Sequence, residues 1–276
     1  MKKAIATLID DHSFLYWKVF FKSFLNNNSW FINNPDYDFI LIEPELNTLS
    51  NDKKNFIRNN INNVKFIQSK ISNNIKPIYD DFFKSWISIV VFNKFEIFNL
   101  IKDYDRIVFF DGDILCMNSI EELFNQNYIE DMCICKEYKE YTEITSLDDD
   151  LSELNYSYGN TGFFILNHNT TTININIEQE IKNILNLDIN ELNKFKNVYG
   201  GEFGSFQEQD VLNALININN LTIKYLPIKY NAFNFLFDWN KFNYKEASII
   251  HLCTLKPWMN YGLIEWCKYY NDLEID

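Results

Sequence analysis

The sequence predicts an α/β fold, a single domain over 1–276 whose mostly parallel central sheet is flanked by helices. Three observations predict it. Apolar runs alternate with helix-like segments, as in successive β-α-β units. The 276 residues suffice for one sizeable core, and no linker divides them. One apolar run, 105–110, ends on the paired acids Asp111 and Asp113, and open α/β sheets bind ligands at the C-terminal ends of their strands.

Taken in order, strands are expected at 4–9, 37–43, 63–67 and 105–110, with helices at about 13–27, 50–61 and 79–101. Right-handed crossovers would then bring Asp10 and Asp11 to the same edge as Asp111 and Asp113. A short helix is expected at 119–124, opened by a capping box from Ser119 to Glu122. Further on come a strand at 131–136, an acidic stretch at 137–153, and a strand at 162–167. Helices near 175–196 and 207–217 follow, then strands at 222–226 and 247–252. The acidic stretch reads as an extended lid or surface loop beside the site.

Composition excludes several classes. A net charge of -13 argues against nucleic-acid binding, which draws its affinity from Lys and Arg on phosphates. The five cysteines are odd in number and lack CxxC spacing, so reduced, buried thiols in a cytoplasmic protein are expected. No apolar run is long enough to span a bilayer. The aromatic segment 258–270 leaves a peripheral membrane contact open, and the sequence leaves oligomeric state undetermined.

Asp111 and Asp113 offer hard oxygen ligands that suit Mn²⁺ or Mg²⁺, and Gly112 between them lets a diphosphate approach the backbone. Taken alone, an Asp-X-Asp more often closes a strand in a solvated turn. His251 ends a second apolar run and is followed by Lys256, a nitrogen donor and a cation in reach of one site. Glu208, at a helix start, is by itself ordinary capping.

In this order the motifs resemble the glycogenin-like retaining glycosyltransferases, family 8 of the GT-A fold. The resemblance runs through Thr7, Leu8, Asp11 and Phe14; Lys94; Tyr104 to Asp113; Asn160-Thr161-Gly162; Glu208-Gln209-Asp210; Leu226-Pro227 and Tyr230-Asn231; and His251 with Lys256-Pro257-Trp258. It implies a GT-A, Rossmann-like domain with a nucleotide-binding half at 1–130 and a sugar and acceptor half at 131–276, and a hexosyltransferase moving a sugar from a UDP-sugar to a glycan, lipid-linked or protein hydroxyl. Asp111, Asp113 and His251 would hold Mn²⁺, with Mg²⁺ as the alternative, and Lys256 would hold the phosphates. Thr7, Leu8, Asp11 and Phe14 would line the uridine, with Phe14 on the base. Asn160, Thr161, Glu208, Gln209 and Lys94 would surround the sugar, the last three with catalytic roles. The family's Asp-Gln is Glu208-Gln209 here, and its preceding glycine pair is replaced by Phe206-Gln207. A nucleotide-sugar-binding protein with weak turnover and a phosphohydrolase with Asp111 as nucleophile are the competing readings.

Overall fold

A computed structural model describes residues 2–82, 88–138, 144–154, 157–195, 203–234, 236 and 242–252. Seven strands form the central sheet: β1 (Lys2–Leu8), β2 (Tyr37–Pro44), β3 (Val64–Ser69), β4 (Tyr104–Phe110), β6 (Met132–Lys136), β7 (Gly159–Asn167) and β8 (Ile223–Leu226). Their order is β3-β2-β1-β4-β7-β6-β8. Only β7 runs against its neighbours. Three short strands, β5 (Ile114–Cys116), β9 (Ala232–Phe233) and β10 (Ile249–His251), form a second sheet in the order β5-β10-β9. The predicted α/β class and mostly parallel sheet are therefore observed.

Alternation along each strand explains the continuous apolar runs. Ala4, Ala6, Ile107, Phe109, Phe164 and Leu166 pack on one face under helices Ile71–Phe82, Ile177–Leu185 and Glu208–Ile218. Ile5, Val108, Phe110, Phe163 and Ile165 pack on the other under helix Phe14–Asn27. The middles of β1, β4 and β7 are buried on both faces, so residues 4–6, 107–110 and 163–166 read as continuous apolar runs. A third cluster of Leu115, Tyr138, Ile144, Leu147, Ile228 and Ile250 surrounds the small sheet.

Three local expectations are corrected. The helix expected at 79–101 is instead a helix at Ile71–Phe82 followed, beyond 83–87, by 3-10 turns over Ile89–Glu96 and Ile101–Asp103 around one α-turn, Ile97–Leu100. Pro77 lies inside the first helix and masks it in the sequence. The capping box at Ser119 does not form. Its hydroxyl accepts from the Glu121 amide, and the helix starts only at Glu122. Lastly, the described part of the acidic stretch is not an extended lid. Leu147 and Leu151 are buried, and the Lys136 ammonium donates to the Leu151 and Leu154 carbonyls at 2.8 and 3.0 Å. Apolar residues spaced among the acids dock the segment; residues 139–143 lie outside the described part.

Cys116, Cys133 and Cys135 are buried free thiols, pushed up by burial, to about 12 for Cys133; Cys253 and Cys267 lie outside the described residues. Among the described residues no helix is long and apolar enough to cross a membrane.

Candidate active site

Strand register assembles the site. Thr7 pairs with Phe110, and Phe110 with Phe163, so the ends of β1 and β4 and the start of β7 meet at one edge. The Asp111 amide donates to the Gly162 carbonyl at 2.8 Å, extending the ladder one residue past β4. After Asp113 the chain enters β5, which pairs with β10 so that His251 lies opposite Ile114. The Leu252 amide closes the arrangement on the Asp113 carbonyl at 2.9 Å. Asp111, Asp113 and His251 consequently place one donor atom each within 4.8 Å of one another. Nε2 of His251 is 3.5 Å from Oδ1 of Asp113.

Behind this cluster lies a buried cation. Lys94, 1% exposed, donates to Asp111 at 2.9 and 3.0 Å and to Glu208 Oε1 at 3.2 Å. Burial works against its charge, but the two carboxylates outweigh that and hold the ammonium above its ordinary value. For Asp111 the balance goes the other way. Its burial, helped by Asp113, outweighs Lys94 and pushes the carboxyl up to about 6.

Beside the cluster three segments lock together. The Gln209 amide donates to Glu137 Oε2 at 3.0 Å while its oxygen accepts from the Thr161 backbone N–H at 3.1 Å. Asn160 donates to the same Glu137 oxygen at 2.8 Å and accepts from Gly162 N–H and Asn231. Glu137, absent from the sequence-based set, is thus the shared acceptor of Asn160 and Gln209 and is 4% exposed. Its signal lay in position: it directly follows β6, whose C-terminal end shares the edge with β4. Among the described residues, three buried side-chain atoms lack hydrogen-bond partners: His251 Nδ1, Asn231 Oδ1 and Asn234 Oδ1. Asn231 bonds Asn160 and the Asn234 amide bonds the His251 carbonyl, so all three adjoin the candidate site.

The residues expected around a nucleoside are more dispersed. Thr7 is fully buried, its hydroxyl accepting from the Trp17 indole at 3.3 Å, and Gly112 lies over that indole, where a Cβ would stand 3.4 Å from Cδ1. Leu8 packs on the first core face. Asp11 pairs with Lys53 at 2.7 Å and accepts from the Ser50 amide; these bonds hold its carboxyl below the usual range. Phe14 stacks on Trp17, meets Phe56 edge-on, has the Lys53 ammonium 5.3 Å from its centroid, and lines a cleft with Asp11, Lys18, Lys53 and Phe56. Lys256 lies outside the described residues.

The sequence pattern of Glycosyl transferase family 8 matches residues 4–262. The chain belongs to this family. A curated protein of Haemophilus influenzae carrying a provisional glycosyltransferase name is 27% identical over 137 residues, 47% of this chain and 36% of that protein's length. The galactosyltransferase LgtC, solved with donor and acceptor sugar analogues, is similar at a TM-score of 0.65 and 15% identity, over 99% of this chain and 97% of that one. The glycosyltransferase GlyE of Streptococcus pneumoniae is similar at 0.60 and 15% identity, over 98% of this chain and 60% of that one.

Within family 8 the chain's departures acquire a structural account. Gln207, where the resemblance leads one to expect glycine, takes φ 40°, a region that costs a side-chain-bearing residue about 1–3 kcal/mol. The cost is offset locally. Gln207 is fully buried and accepts from the Tyr79 hydroxyl at 3.0 Å. Asp210 accepts from the Gly204 and Phe206 amides and, at 2.5 Å, from the Tyr158 hydroxyl. Gly204, at φ 97°, supplies the upstream bend.

Proposed function

We propose that the chain is a retaining hexosyltransferase that uses a UDP-sugar and a divalent cation, Mn²⁺ in preference to Mg²⁺, to glycosylate a hydroxyl acceptor. The observation that carries this reading is the convergence of Asp111, Asp113 and His251 at the sheet edge, with the Lys94 and Glu208 pair beside them. Two carboxylates and one imidazole fit Mn²⁺, which accepts nitrogen more readily than Mg²⁺ does. When bound, the cation supplies positive charge to the departing diphosphate.

The protein's own groups do the rest. Lys94 fixes Asp111 and Glu208 in one orientation, and Glu137 fixes Asn160 and Gln209, giving a prearranged polar wall for the sugar. Glu208 is bound to a buried ammonium, which lowers its nucleophilicity. Gln209 has its amide engaged at both ends. Both features favour same-face attack, in which the departing phosphate oxygen takes the acceptor proton, over double displacement through a protein nucleophile. The deciding experiment is UDP release from a panel of UDP-sugars with Mn²⁺ and no acceptor. Slow hydrolysis of one sugar supports the reading and names the donor; no release from any, with or without candidate acceptor glycosides, sinks it.

Glu208→Asp is expected to retain turnover, because positioning needs only the acid. Glu208→Ala is expected to be slow and to yield no glycosyl azide when azide is added; its appearance would establish a nucleophile. Phe14→Ala is expected to weaken UDP binding by about 1–3 kcal/mol, the scale of base–aromatic stacking. Calorimetry on the folded variant checks this, and an unchanged Kd removes Phe14 from the site.

A further inference from the structure

We infer that Gly162 is the seat of His251: the missing side chain lets the imidazole lie against the start of β7 and reach the two carboxylates. The inference rests on the assignment of Asp111, Asp113 and His251 to a divalent cation.

The argument is steric. A Cβ at Gly162 would fall inside contact distance of His251 Cε1, 2.5 Å from Nδ1 and 2.8 Å from Nε2. The whole nitrogen-bearing edge of the ring therefore faces the bare Cα. Backbone conformation does not require glycine here, since Gly162 is not at positive φ, unlike Gly204. Space is what the position demands.

Neither side can retreat. The Gly162 N–H donates to Asn160 Oδ1 at 2.9 Å, and its carbonyl accepts from Asp111 at 2.8 Å. On the other side, β10 pairs with both β5 and β9, and Phe233 meets the imidazole edge-on at 5.8 Å. His251 is 5% exposed, so the ring has no open space to turn into without repacking. One glycine thus touches two of the three donor residues: it bonds the backbone of Asp111 and seats the ring of His251. By contrast, a Cβ at Gly112 would make only ordinary contact with Trp17.

The test is a double-mutant cycle of Gly162→Ala and His251→Ala with two readouts. Mn²⁺ binding, followed by electron paramagnetic resonance, should weaken about 10–100-fold in Gly162→Ala, the range for losing a group that orients a ligand. The double variant should bind no more weakly than His251→Ala alone, because the methyl acts only through the ring. The melting midpoint without metal should drop in Gly162→Ala and be unaffected by the same change in the His251→Ala background, where the methyl has room. Wild-type Mn²⁺ affinity in Gly162→Ala, or equal melting losses in both backgrounds, would overturn the seat. Failure of the wild type to bind Mn²⁺ would instead overturn the cation assignment, and the melting cycle would still decide the steric claim.

Discussion

Lys94→Met is expected to destabilise the protein by about 3–5 kcal/mol, the cost of removing one partner from a buried ion pair. The ammonium is 1% exposed and bonds both Asp111 and Glu208, so its loss strands two carboxylates. The deficit should depend on pH in a defined direction. Asp111 already holds its proton more tightly than an ordinary carboxyl. A carboxyl whose folded pKa is raised costs stability above that pKa, and the cost fades as pH falls through it. Without Lys94 that cost grows, so the gap to wild type should narrow as pH falls from about 8 to about 5. Chemical denaturation at several pH values checks this. A gap that widens toward acid would mean that Lys94 does not hold the carboxylate charge.

Asp113→Asn is expected to weaken Mn²⁺-supported UDP binding by more than about 100-fold, beyond the usual loss of a group that merely supports a ligand. UDP affinity measured with EDTA should be low in the wild type and unchanged by the substitution. Metal and proton would compete at Asp111, whose carboxyl burial pushes up to about 6. Mn²⁺ affinity should therefore fall by about tenfold per pH unit below that value and level off above it. Equal UDP affinity with Mn²⁺ and with EDTA would remove the cation from the mechanism.

Much of this architecture was legible in the chain. Strands buried on both faces wrote themselves as apolar runs, and β1 to β4 were found within a residue or two at each end. The strands β5 and β9, three and two residues long, were too short to carry a period, yet β5 is what leads the chain from Asp113 to its pairing with β10. Helix Ile71–Phe82 was hidden by Pro77. Within the site, Asp111 and Asp113 announced themselves as acids after an apolar run. Glu137 occupied the equivalent place after β6 but was obscured by the acidic stretch it begins. Charge density suggested solvent there, whereas the carboxylate is buried by amides from positions 160 and 209. Such a pairing between distant segments leaves no local trace.

The histidine follows the paired acids by more than one hundred positions and joins them only through the antiparallel pairing of β5 with β10. An emerging polypeptide therefore displays Asp111 and Asp113 well before the third donor has been synthesised. Two carboxylates alone discriminate poorly among hard cations, and they sit among many other acids on this anionic chain. On the proposed cation assignment, the nitrogen donor enters only with the finished fold, and with it the preference for a metal that tolerates mixed ligands. Selection among metals would then be deferred from the ribosome to the folded state, where the donor set decides which ion stays, whatever order the ions arrive in.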